Sequence, residues 1–200
     1  MNRPGTFDRV YAAIKQQLRC GLFRPGDRLE PAVLSYELNA SVTPVRDALH
    51  RLTGERLVEA PRHEGFRVPM ITEAALRHLY GWHRNLLLLA LVNNRAMPSP
   101  SELIGGEYSG SPGIVRRIFL TLAQRAGNPE HLAALESVAE RLQPIERLEP
   151  VVLQGIEEEK TEFEVALEVG NVKALRRAIV RYHRRRIRCV PELLEHLLKD

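Results

Sequence analysis

Apolar residues recur at helical spacing along most of the chain, and one short region departs from that rhythm. Phe7, Val10, Tyr11, Ile14 and Leu18 form one stripe and Gly21 follows, which predicts a helix over residues 7–19. Val33, Leu34 and Leu38 predict a short helix over 31–38, ending near Asn39. Val45, Ala48, Leu49 and Leu52 fall at i, i+3, i+4 and i+7. They predict a further helix, with Thr43 as its capping hydroxyl, Pro44 in its first turn and an end around 54–56. Two short helices joined by a tight turn, the second polar at its start, make a helix-turn-helix. An amphipathic helix in a plain core is the other reading of the same pattern. Arg24-Pro25-Gly26-Asp27 signals a turn. Residues 57–60 and 66–68 then alternate as two short strands joined by Pro61-Arg62-His63-Glu64-Gly65. That hairpin is either a wing beside the second helix or a cap on a small core.

After Pro69 the pattern is helical only. Thr72 precedes a helix containing Leu76, Leu79, Tyr80, Trp82, Leu86, Leu87, Ala90 and Leu91, which ends before Pro98. Residues 98–112 are rich in Ser, Gly and Pro and read as a loop. A helix over 114–126 is broken by Gly127-Asn128-Pro129, and Pro129 opens another with Leu132, Leu135, Val138, Ala139 and Leu142. After Pro144 and Pro150 comes a helix with Val152, Ile156, Phe163 and Leu167. Gly170-Asn171 ends it and caps a last long helix with Leu175, Ala178, Ile179 and Tyr182, running to about Cys189. Pro191 starts a short terminal piece, and residues 1–5 read as a disordered start. The fold class is therefore mostly α. A winged helix-turn-helix of three helices and a β-hairpin wing occupies 1–70, and an all-α helical bundle occupies 71–200. There is no internal repeat.

Composition narrows the setting. With 200 residues and 44% hydrophobic content, each part can hold a core. The longest apolar run, 86–92, is far too short to span a membrane, and no signal-peptide stretch opens the chain. Cys20 and Cys189 then read as reduced thiols, and the expected location is cytoplasmic. The net charge of +4 is uneven: residues 1–70 hold 11 Lys and Arg against 8 Asp and Glu, the remainder 18 against 17. The excess lies with the helix-turn-helix, as a phosphate-binding surface needs. Ser41, Thr43 and Arg46 offer hydroxyls and a guanidinium in the first turn of the second helix, a set suited to phosphates and guanine edges.

Two opposed charge runs follow. Arg176, Arg177, Arg181, Arg184, Arg185, Arg186 and Arg188 face Glu157, Glu158, Glu159, Glu162, Glu164 and Glu168 in the preceding helix. They read as intrachain ion pairs on solvated faces, the alternative being a second DNA contact from the arginines. No Gly-rich phosphate loop, nucleophile setting or His-x-x-x-His pair is present, and His131 and His196 read as surface residues, so no enzyme is expected.

Gly21-Leu22-Phe23-Arg24-Pro25-Gly26-Asp27-Arg28-Leu29, Ser41-Val42-Thr43-Pro44-Val45-Arg46-Asp47-Ala48-Leu49, Leu57-Val58 and Gly65-Phe66 together resemble the winged helix-turn-helix of GntR-family transcription regulators, over residues 7–68. The resemblance implies a DNA-binding regulator, read as a repressor, that acts as a homodimer on a palindromic double-stranded operator. Its DNA-binding set is Ser41, Val42, Thr43, Arg46, His50, Arg51, Arg62, His63 and Gly65. The family usually has Arg where Val42 stands, so one contact is expected to be missing.

Leu79-Tyr80, Phe119, Gly127-Asn128-Pro129, Ala166, Gly170-Asn171, Ala174 and His183 make the helical part similar to the FCD domain of the FadR subgroup, shortened at 98–112. That domain supplies most of the dimer contact in the family. It also holds a pocket where one Asp and three His commonly bind a divalent metal and an organic acid. Those four ligands align with Arg116, Leu120, Lys160 and His183, so no metal and no cofactor are expected. The Arg often seen in the first helix falls at His83, beside Arg84. The resemblance then implies a small-molecule effector, a carboxylate held by Arg116 and Lys160 with His83, Arg84 and His183 beside it. In the alternative, Lys160 snorkels outward or pairs with a Glu, and the pocket of a dimeric DNA-binding protein binds nothing.

Overall fold

The computed structural model describes residues 5–93 and 113–199. The loop expected at 98–112, and the chain start at 1–4, lie outside them. The described chain is mostly helical and divides into two compact units. The expected boundary at 70/71 lies beside a division at Thr72/Glu73, and the first unit also takes in Gln143–Leu148 and the chain from Leu194.

In the first unit, α1 (Thr6–Arg19) and α2 (Pro31–Glu37) pack on α3 (Val42–Gly54). Val45, Ala48, Leu49 and Leu52 are wholly buried on α3, against Val10, Ile14 and Leu18 of α1 and Leu34 of α2. Burying a leucine contributes roughly 1.5–3 kcal/mol, so this one face supplies much of the unit's stability. The turn between α2 and α3 passes through Asn39 at φ 47°, a left-handed conformation that asparagine tolerates. Arg9 reaches over from α1 and donates to the carbonyls of Leu38 and Asn39 at 2.7 and 3.1 Å. It thereby satisfies acceptors that the end of α2 leaves without helical donors.

Two details differ from the sequence reading. The helix begins at Val42 with Ser41 at the cap in extended backbone (φ −77°, ψ 162°), so Thr43 and Pro44 are its second and third residues. Proline is tolerated there because the first turn has spare amides. The hairpin, too, is reduced. Glu59 and Arg67 exchange two backbone hydrogen bonds, at 2.8 and 2.9 Å, but no regular strand forms among the described residues. The amides of Leu57 and Val58 both donate to the Leu52 carbonyl at the end of α3, and proline at 61 has no amide to give. Arg67 also bridges Arg28 on its other side, a third segment that the turn signal at 24–27 did not announce.

In the second unit, α4 (Glu73–Asn93) packs on α5 (Ile114–Arg125) and on α9 (Val172–Arg188), and α8 (Ile156–Glu168) packs on both α5 and α9. α6 (Pro129–Glu146) belongs to this unit as far as Leu142, the short α7 (Glu149–Val152) follows, and α10 (Val190–Lys199) ends the chain, belonging to the first unit from Leu194. Pro144 does not end α6, which continues to Glu146 with Leu142 and Ile145 buried on either side of the proline. The helix expected from Val152 is instead split at Gly155, whose φ of 68° only glycine adopts freely. His131, expected at the surface, is buried, and its Nε2 donates to the Leu86 carbonyl at 2.8 Å.

Candidate nucleic-acid interface and ligand site

The rigid inner face of α3 fixes what its outer face presents. Ser41, Val42, Thr43 and Arg46 are exposed along one edge of the helix start, and Arg46 has no hydrogen bond or ion pair among the described residues. Ser41 makes no side-chain cap bond, which leaves its hydroxyl free to donate outward. Arg46 is the fifth residue of the helix. His50, one turn on, is exposed and stands edge-on to Phe66 at 4.9 Å, which ties the helix to the hairpin.

Arg51 is placed differently. Its guanidinium lies over Tyr11 at 4.2 Å and within 3.5 Å of Glu55, so it is engaged by α1 and its own helix. Tyr11 donates to Glu55 at 2.6 Å and Lys15 pairs with the same carboxylate at 2.9 Å. At the hairpin tip Arg62, His63 and Gly65 are all exposed, with His63 at φ 64° and Gly65 at φ 78°. The two left-handed residues turn the chain sharply and carry the Arg62 and His63 side chains outward.

The second unit brings together only two of its expected site residues. His83 on α4 and His183 on α9 are both buried, with His183 Nε2 3.1 Å from His83 Nδ1. His183 Nδ1 lies 2.7 Å from the Ile179 carbonyl one turn earlier. Phe119 on α5 meets both rings, at 5.5 and 6.0 Å between centroids, and Tyr182 and Phe163 complete the aromatic cluster. Burial holds both histidines uncharged: His183 is lowered to about 3, and His83 well below its ordinary value, with His183, Arg116 and Arg186 adding to the effect. His83 Nε2 is buried with no hydrogen-bond partner among the described residues.

The two cations expected beside them point elsewhere. Arg116 donates to the Ala139 carbonyl at 2.9 Å and lies 3.8 Å from Glu140. Lys160 snorkels to the surface and pairs with Glu157, one turn earlier on α8. Arg84 is half-buried next to His83 on α4. The anion site expected of Arg116 and Lys160 is therefore not assembled, because Arg116 finds its acceptors on α6 and Lys160 finds one a single turn earlier on its own helix. Nor do the aligned positions fit a divalent metal. A guanidinium, an alkyl chain and an ammonium offer no lone pair, and among the described residues no three His, Cys, Asp or Glu side chains converge as ligands.

The sequence reading missed a buried ion network. Arg186 is 2% exposed and is held by Glu149, through Nε at 2.9 Å and Nη2 at 2.7 Å, and by Glu159, through Nη1 at 2.8 Å. The guanidinium also lies over the Tyr182 ring, 3.2 Å from its centroid. Arg185 pairs with Glu159 at 2.9 Å, and Arg181 pairs with Glu162. The opposed charge runs thus do pair within the chain, but their central members are interior rather than solvated.

Residues 6–68 match the family of bacterial regulatory proteins called the gntR family. The chain is 26% identical over 184 residues to the HTH-type transcriptional regulator McbR of Escherichia coli, covering 92% of this chain and 63% of McbR. It is 30% identical over 76 residues to the HTH-type transcriptional repressor GlaR of the same organism, covering 38% of this chain and 34% of GlaR. The chain thus spans less than two thirds of either relative. The crystal structure of a putative transcriptional regulator GntR from Rhodococcus sp. RHA1 superposes with a TM-score of 0.74 at 21% identity, over 93% of this chain and 97% of that one. The solved McbR structure gives 0.70 at 21%, over 95% and 99%. These likenesses establish a shared fold. The family match, α3 and the hairpin thus coincide over residues 6–68.

Proposed function

We propose that this chain is a DNA-binding transcriptional regulator of the gntR family, a repressor that binds a palindromic operator as a homodimer and answers to a small molecule in its helical unit. The observation that carries the first part is Arg46: an exposed guanidinium without a protein partner among the described residues, on a helix whose opposite face is wholly buried. A side chain so placed can reach a base edge or a phosphate while the helix itself cannot yield. Ser41, Thr43 and His50 extend that face, and Arg62, His63 and Gly65 supply a second contact from the hairpin. Val42 offers no charge where the family usually carries arginine. McbR and GlaR, by their descriptions, are transcriptional regulators, which supports the reading.

A single reading helix covers a half-site, and a palindrome presents two, so a two-fold dimer through the helical unit matches the operator expected. The effector reading rests on the buried His83–His183 pair, a polar centre inside an apolar cluster. The FCD assignment to the FadR subgroup belongs to the same proposal. Selection from random duplexes tests it: the purified chain enriches a palindromic sequence. Recovery of no common sequence contradicts it.

A further inference from the structure

The hydrogen bonds of the histidine pair settle where each proton sits. A carbonyl can only accept, so the contact between His183 Nδ1 and the Ile179 carbonyl puts a hydrogen on Nδ1. His183 is neutral in its buried setting, so its Nε2 carries a lone pair and accepts. His83 Nδ1, 3.1 Å away, must therefore donate. His83 is buried and neutral in turn, and its remaining nitrogen, Nε2, is left as a lone-pair acceptor. The tautomer of a ring on α4 is thus fixed from a backbone carbonyl on α9, through two imidazoles. The relay ends at an acceptor that has no donor among the described residues. Buried polar groups are almost always satisfied, so an acceptor left at the end of a fully ordered relay asks for a donor from outside these residues.

We infer that the helical unit takes a neutral ligand with a flat apolar body that donates an O–H or N–H to His83 Nε2. A carboxylate would set lone pair against lone pair. An ammonium would lose its hydration in this buried aromatic cluster, at a cost that one hydrogen bond does not repay. The flat body follows from Phe119, edge-on to His83 at 5.5 Å, with Phe163 and Tyr182 behind it. The inference rests on the helical unit being the sensor, and it replaces the carboxylate expected from the resemblance.

The test uses the full chain labelled with 15N at histidine. Long-range proton–nitrogen spectra at neutral pH should show both His83 and His183 protonated at Nδ1 only. Phenol, anisole and benzoate are then added in turn. Phenol should move the His83 Nε2 resonance to lower frequency and bind roughly tenfold more tightly than anisole, the effect of one hydrogen bond. His83→Phe should bind the two equally, and if that variant does not fold, the wild-type tautomers and the phenol-to-anisole ratio decide. A hydrogen on His83 Nε2, equal binding of phenol and anisole, or no response to phenol overturns the inference. Benzoate binding with His83 Nε2 unmoved keeps a sensor but overturns the donor rule. Failure of operator binding overturns the regulator reading alone, since the tautomers are read without DNA.

Discussion

The Arg186 guanidinium meets the Glu149 carboxylate through two parallel hydrogen bonds, at 2.9 and 2.7 Å, with both side chains buried. Glu159 binds the remaining amino group from the opposite side at 2.8 Å. Such a pair is not strong evidence of stabilisation by itself, because desolvating the charges offsets most of their attraction. Removing one member is another matter. Arg186→Ala leaves two carboxylates buried without their cation and should cost about 3–5 kcal/mol in urea unfolding, while Arg188→Ala on the exposed side of the same helix should cost under ~0.5 kcal/mol. Equal losses for the two variants would show that the network is not the interior ion cluster described.

The histidine pair makes stability depend on pH in a defined direction. In the unfolded chain each ring takes up a proton as pH falls through about 6.5, whereas in the native state burial lowers His183 to about 3 and His83 in the same direction. Below pH ~6.5 the unfolded state therefore binds more protons, and stability present above that value is lost progressively towards pH ~3. His183 should remove roughly 2 kcal/mol between pH 7 and 5, by the slope of ~1.4 kcal/mol per pH unit, and His83 adds a loss in the same direction. Urea midpoints at the two pH values check this. His83→Leu should show a shallower loss than the wild type, and an equal slope would contradict the assignment.

The protein should purify without a stoichiometric transition metal. His183 alone remains of the four positions that hold the ion in the resembled family, and Arg116 and Lys160 carry positive charge where ligands would stand. Elemental analysis of the purified chain should find zinc, nickel and manganese each well below one per chain, and a full equivalent of any would refute the reading.

The chain should be a dimer at micromolar concentration. Sedimentation of the full chain should give the mass of two copies, and bound operator should contain two copies per palindrome. A single copy on a full palindrome would oppose the dimer.

Much of this was legible because local periodicity reports a buried face. Val45, Ala48, Leu49 and Leu52 lie in one line and are all wholly buried, and the same holds for Leu175, Ala178 and Ile179 on α9. What periodicity cannot report is pairing across distance. A run of seven arginines looks solvated, and nothing in its spacing says that Arg186 turns inward, since that depends on Glu149 and Glu159 from two other elements. The same limit hid His131, whose partner is a backbone carbonyl 45 residues away, and the bridge from Arg28 to Arg67. Lys160 illustrates the converse. The resemblance set it beside Arg116 on a carboxylate, yet four flexible methylenes let it reach Glu157 instead. At the start of α3, Thr43 and Pro44 both carry helix-start preferences, and Ser41 took the cap because the helix begins two residues sooner. Resemblance singled out His83 and His183, but only the folded chain shows that they touch.

If α3 reads DNA with Arg46, fluorescence anisotropy of the wild type and Arg46→Ala on a selected operator, at fixed salt, should show it. The variant should lose ~1–3 kcal/mol in specific binding, with its unfolding midpoint unchanged because Arg46 has no protein partner among the described residues. Unaltered operator affinity in the folded variant would contradict the assigned reading face.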